Sequence, residues 1–176
     1  GLNSVFLVRY LLEKCKTTKE GVAAIQSLPV SSNCNILLVD KSGDMVVIEC
    51  NPYQKHIRYP MVNEYGNKFI ITVNELLSSE MVIHKARQGD TFFSKERYST
   101  AENALLKLKD NPIDNAKAIL SGKCGFMCQY AKHLNFETIW ATIFNLSDLS
   151  VYRAEGNPSK CSFITDNRLK DCLGYL

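Results

Sequence analysis

Long apolar runs are missing from this 176-residue sequence. None approaches the ~20 residues needed to span a bilayer, so a membrane helix is excluded and a soluble protein is expected. One-sided charge is missing as well. The 21 basic and 18 acidic residues are interspersed and leave a formal charge of +3, which offers no nucleic-acid or membrane-surface footprint. There is no internal repeat, no low-complexity tract and no linker-like stretch. A signal-peptide pattern is also lacking, and the seven cysteines form an odd, irregularly spaced set. That usage favours a reducing cytoplasm over a disulfide framework.

What is present is globular composition, 45% hydrophobic and 22% charged, enough for one domain over residues 1–176. Apolar positions Leu2, Val5, Phe6, Val8, Leu11 and Leu12 predict a helix from Leu2 to Lys16. Thr17-Thr18-Lys19-Glu20 fits a capping box opening a second helix that stops before Pro29. The period then shortens to two. Asn35–Val39 and Met45–Glu49 flank the turn Asp40–Asp44, which predicts a β-hairpin. Short strands are expected at His56–Tyr59 and Lys68–Val73. Ser94 is expected to cap a helix running to about Lys109, and Pro112 to open another ending near Gly122. A second hairpin follows, Thr138–Phe144 and Ser150–Ala154 about the turn Asn145–Asp148. This order predicts an α+β fold with a mainly antiparallel sheet.

Candidate chemistry is sparse. Cys124, Cys128 and His133 have loose metal-ligand spacing, but Gly125 weakens a helix there and no second pair follows, so ordinary thiols are preferred and no metal is expected. Gly122-Lys123 lacks the glycine-rich loop of a phosphate cradle. A nucleophilic thiol would have to meet His56, His84 or His133; Cys34 and Cys50 lie in strands where a small hydrophobe serves as well. His84, beside Lys85 and Arg87, reads as a surface histidine. Asn74 ends an apolar run and reads locally as a helix cap. Arg97 sits in a first helical turn, where a cation opposes the helix dipole.

Several segments, taken in order, resemble the linear-amide hydrolases of the N-terminal-nucleophile class. These include choloylglycine hydrolases, penicillin V acylases and isopenicillin-N acyltransferases, the acyltransferase-like branch being nearest. The resemblance rests on Leu7–Thr17, the Asn35–Glu49 hairpin with its Asp40-Lys41-Ser42-Gly43 turn, and Val73-Asn74-Glu75-Leu76. It continues through Ser94–Tyr98, Cys128-Gln129-Tyr130, Thr138-Ile139-Trp140 and Glu155-Gly156-Asn157-Pro158. It implies a four-layer αββα sandwich, with this chain as its C-terminal portion, incomplete at the N-terminal end. It also implies that Asn74 donates to an oxyanion hole and that Arg97 is a supporting cation near the nucleophile. Val73 stands where the family has Thr, and Glu75 where it often has His.

The family nucleophile is an N-terminal Cys whose α-amine shuttles the proton, and its place in family order lies upstream of Leu7–Thr17. The resemblance therefore implies no nucleophile in this chain and a missing N-terminal segment or companion chain. It implies a small-molecule amide or acyl substrate and no cofactor. The isolated chain is expected to be inactive and, with an apolar face uncovered, to form homo-oligomers or to be poorly soluble. Two alternatives remain open: a non-catalytic relative that binds a ligand or partner, and a free-standing enzyme using one of its own thiols.

Overall fold

In a computed structural model describing residues 1–83, 89–90, 92–128, 130–131 and 136–174, Asn3 starts the first helix. Its side chain accepts from the Phe6 amide, and α1 spans Ser4–Lys14. Leu2, expected inside the helix, instead forms a parallel bridge with Val30, because its N–H and C=O pair with Pro29 and Ser31. The expected capping box opens α2, Thr18–Ser27. Thr17 Oγ1 accepts from the Glu20 amide, and Glu20 reaches back to the Lys16 amide at 2.7 Å. At the other end Lys55 Nζ donates to the carbonyls of Gln26 and Leu28, placing a cation at the helix's negative pole.

These helices belong to the first of two compact units, formed by Gly1–Val62 with Lys68–Ser94; the second comprises Asn63–Asn67 with Lys95–Leu176. The first unit holds an antiparallel sheet of β1 (Cys34–Val39), β2 (Met45–Cys50) and β3 (Lys55–Arg58). The expected hairpin turn closes as Asp40 accepts from the Ser42 amide and hydroxyl. The same carboxylate accepts from the Thr18 amide at 2.8 Å, tying the turn to the start of α2. Ile36, Ile48 and Val46 pack from one sheet face against Leu7, Leu11 and Ile25 of the helices. Burying each large apolar side chain is worth about 1.5–3 kcal/mol. A short hairpin, β4 (Met61–Val62) with β5 (Lys68–Phe69), and the single-turn α3 (Ser79–Val82) complete this unit.

The second unit contains α4 (Ser94–Leu106, whose first residue lies in the first unit), α5 (Pro112–Leu120) and the two-stranded β6 (Tyr130–Ala131) and β7 (Phe136–Glu137). It also holds a sheet of β8 (Trp140–Asn145), β9 (Ser150–Glu155) and β10 (Ile164–Thr165), followed by α6 (Arg168–Leu173). Pro112 does open its helix, after Asn111 in a left-handed conformation. Ser94 does not cap α4. It is the first helical residue, and its amide donates to Asp90 Oδ1, so Asp90 does the capping. The C-terminal carbonyls of α4 are met by the hairpin tip. Asn63 Nδ2 donates to Leu105 and Leu108 while its Oδ1 accepts from the Tyr65 and Asn67 amides. The mixture of helices and antiparallel sheets bears out the α+β expectation.

Candidate active site

Side chains alternate across a strand, so β1, β2 and β3 each show one set of residues to the helices and another to the opposite face. On that opposite face the register aligns Asn35 with Glu49 and Glu49 with His56, and Arg58 follows two residues along β3. This is a polar row across all three strands near one end of the sheet, and it has an occupant. Residues 71–78 run over it with their backbone groups paired to side chains. Arg58 donates from Nη2 to the Ile71 carbonyl at 2.8 Å, and Asn35 Nδ2 donates to the carbonyls of Val73 (2.7 Å) and Glu75 (2.9 Å). Glu49 accepts from the amides of Leu77 and Ser78 at 2.9 and 3.0 Å and from the Ser78 hydroxyl at 2.5 Å.

Glu49 is wholly buried, and a buried carboxylate is costly unless paired and hydrogen-bonded. Its charge is met by Arg58, whose Nε lies 2.7 Å from Oε1 as an ion pair rather than a directed hydrogen bond. The anchoring also explains a departure from the sequence expectation. The strand foreseen at Lys68–Val73 stops at Phe69, because alternate carbonyls from Ile71 to Glu75 find side-chain donors instead of a neighbouring strand.

Asn74 lies at a bend in this anchored segment, exposed, between the two carbonyls held by Asn35. It is therefore five residues beyond the end of β5 rather than at a strand end. The bend does not open directly into a helix either, since α3 is capped at Ser78. Beyond the segment, His56 Nδ1 sits 3.7 Å from Glu80 Oε2.

The thiols of this unit face the other way. Cys34 and Cys50 are register partners on the helix-covered face, adjacent in sequence to Asn35 and Glu49. The hydrogen bond from Cys50 lowers the Cys34 pKa against the opposing effect of burial, and the same contact followed by burial pushes Cys50 up. His56 projects from the opposite face, so this thiol pair has no imidazole beside it from the sheet. His84 and His133 lie outside the described residues, and so does Gln129 of the Cys128-Gln129-Tyr130 segment. Cys124 is exposed, while Cys128 is raised by burial and its Sγ meets the Leu120 carbonyl at 2.8 Å. Among the described residues no cluster of three or more Cys, His, Asp or Glu has metal-binding geometry.

The family model of acyl-coenzyme A:6-aminopenicillanic acid acyl-transferase matches residues 1–160. The chain belongs to that family. This acyl-transferase family is of the N-terminal-nucleophile hydrolase class, so the resemblance read from the motifs holds. No curated protein and no solved structure matches the chain. Within the acyl-transferase match lie the polar row, Asn74 and Arg97. Arg97 is half-buried on the first turns of α4 in the second unit.

That unit has a pocket of its own, about 440 Å³ and open, lined by Phe144, Val151, Arg153, Asp166, Arg168 and Cys172. Asp166 is held well below the usual carboxylate range, chiefly by hydrogen bonds from Arg168. Arg153 lies 3.1 Å from Asp166, and Arg168 also reaches Glu155. Two guanidiniums thus face two carboxylates, leaving no net charge for an anionic ligand. Three of the lining residues, Asp166, Arg168 and Cys172, lie beyond the acyl-transferase match.

Sequence reasoning singled out Asn74 as a candidate but did not foresee the residues that anchor its segment, Asn35, Glu49, Arg58 and Ser78. The available signal was Glu49 itself, a lone carboxylate in the apolar run Met45-Val46-Val47-Ile48-Glu49-Cys50. A strand apolar at consecutive positions is buried on both faces, and a charge inside it needs a partner.

Proposed function

We propose that this chain supplies the oxyanion-binding part of a cysteine N-terminal-nucleophile enzyme acting on linear amide bonds, with Asn74 as the oxyanion donor. In the reaction a thiolate adds to the amide carbonyl and the negative oxygen is met by the Asn74 amide. The C–N bond then breaks as the leaving amine takes a proton from the nucleophile's own α-ammonium. The resulting thioester passes its acyl group to water or to an acceptor amine, regenerating the thiol. The nucleophile in this reading is a Cys carried N-terminal to the Leu7–Thr17 segment, and its α-amine, with an unperturbed pKa near ~7.7–8.0, is suited to move the proton at neutral pH.

The observation that carries the reading is the fixed backbone around an exposed Asn74. A donor held before the reaction starts incurs no reorganisation when charge develops, and for that reason oxyanion donors act from rigid frames. The replacements Val73 and Glu75 leave this frame intact, because Asn35 holds their carbonyl oxygens rather than their side chains. Arg97 is proposed as the supporting cation, since a guanidinium near a thiol favours the thiolate. The four-layer αββα sandwich, formed as a single domain, belongs to the same proposal.

The test is steady-state hydrolysis of a phenylacetyl p-nitroanilide by the native full-length polypeptide and its Asn74→Ala variant. A fall in kcat of ~10² to 10³ is expected on removing one oxyanion donor. Unchanged turnover in Asn74→Ala would defeat the assignment. A native polypeptide with no N-terminal Cys and no turnover would favour a non-catalytic relative that binds its ligand through the same segment.

A further inference from the structure

We propose that Asn35 is a positioning residue for Asn74, an inference that rests on the oxyanion reading of Asn74. The two Nδ2 hydrogens of one planar amide bond the carbonyls on either side of residue 74, at 2.7 Å to Val73 and 2.9 Å to Glu75. The Val73 carbonyl lies in the peptide plane that enters Asn74 and the Glu75 carbonyl in the plane one residue beyond it, so fixing both pins the backbone before and after Asn74 and limits the direction in which its side chain leaves.

The side chain at position 35 is unusually well matched to that task. Ser carries one O–H donor where two are needed, and an ionised Asp carries none and would set its oxygens against two carbonyls. Asn35 is itself placed by the sheet, opposite Glu49 in the β1–β2 register. Glu49 in turn holds the far end of the same segment at Leu77 and Ser78. The Asn35 Oδ1 is buried with no hydrogen-bond partner. An unmet buried acceptor costs free energy that an apolar side chain would avoid, so what Asn35 contributes at this place is its two donors.

The geometry separates the roles of the two ends. The Glu49 contacts lie three and four residues beyond Asn74, while those of Asn35 are immediately adjacent on both sides. Loss of the Asn35 donors therefore frees the direction of the Asn74 side chain without releasing the segment from the sheet.

A double-mutant cycle in the full-length protein tests this, with kcat and KM for the phenylacetyl p-nitroanilide measured for Asn35→Ser, Asn74→Ala and the pair. Asn35→Ser is expected to lower kcat roughly 10- to 100-fold, the scale on which a small misplacement acts, with KM within about threefold. In the Asn74→Ala background the same substitution is expected to cost less than about threefold, because what it positions is gone. Losses that simply multiply, or an effect on KM alone, would overturn the proposal. Full activity in Asn74→Ala alone would instead remove the oxyanion reading on which it rests.

Backbone 15N order parameters of the full-length protein read the positional claim without substrate. In Asn35→Ser those of residues 74–76 are expected to fall from about 0.85 to below about 0.6 while the β1–β2 ladder keeps its values. Unchanged values at 74–76 overturn the proposal, and an equal fall throughout the sheet shows Asn35 to be a general structural residue and overturns it too.

Discussion

Both units contain a three-stranded antiparallel sheet, and they treat charge on it in opposite ways. In the first unit α1 and α2 cover one face and residues 71–78 the other, so β2 is buried along nearly its whole length. Its one carboxylate, Glu49, is enclosed and fully paired. In the second unit Ile143 and Ala154 are buried, while Trp140 and Phe144, pointing the other way from β8, remain 56% and 65% exposed. Its charges, Arg153, Glu155, Asp166 and Arg168, form a network reaching into solvent. Charge at a surface costs little and fixes little. Enclosed charge must be saturated by specific partners, and those partners then become fixed points of the structure. The candidate catalytic asparagine lies on the segment that such points hold.

The largest effect that would break this contrast is expected from Glu49→Ala. It leaves the Arg58 guanidinium without its buried counter-charge and should destabilise the first unit by about 3–5 kcal/mol in urea unfolding. A loss below about 1 kcal/mol would mean that the carboxylate is not the anchor described. The second unit has a polar anchor too, in neutral form. Asn63→Ala removes two hydrogen bonds at the end of α4 and two within the hairpin tip, and is expected to cost about 2 kcal/mol. Circular dichroism should show the loss concentrated in helix signal.

A smaller, pH-limited effect is expected at Asp40. Hydrogen bonds from Ser42 and then Thr18 lower its pKa from 3.8 to about 2. A depressed carboxylate stabilises the fold above its unfolded pKa, and that contribution is lost as pH falls through the folded value. Melting temperatures of wild type and Asp40→Asn should therefore differ above pH ~4 and converge towards pH ~2. A gap that persisted at pH 2 would assign the effect to geometry rather than charge. The smallest change, within about 0.5 kcal/mol, is expected for Phe144→Ser on the exposed face of β8. A markedly larger loss would show that this face is covered in solution.

Local signals in the sequence were legible where neighbours a few residues apart decide the structure. Thr17 and Glu20 cap α2, Asp40–Asp44 turns the first hairpin, and Pro112 opens α5 as their chemistry requires. The misreadings share a cause, which is a distant partner. Phe69–Val73 has strand composition, but Arg58 and Asn35 take up its carbonyls. Ser94 looks like a cap, but it is already the first helical residue and its amide donates to Asp90, four residues earlier. The candidacy of Asn74 came only from the family resemblance, because its own neighbours mark it as a helix cap. The residues that hold it lie up to 40 positions away, beyond the range of periodicity or turn chemistry.

Those separations also set an order of events. The tie from Asp40 to Thr18 closes a loop of 22 residues and those from Asn35 close loops of 38 and 40, so chain closure favours the α2–hairpin corner. The 71–78 segment can dock only after β1, β2 and β3 have brought Asn35, Glu49 and Arg58 into one row. Such a segment, held by side chains on a finished sheet, is also free to lift off while the sheet stays folded. On the proposed reading, the candidate oxyanion donor rides on a piece that docks onto an already formed sheet, so that any activity depending on it would appear after that sheet does and fail before it.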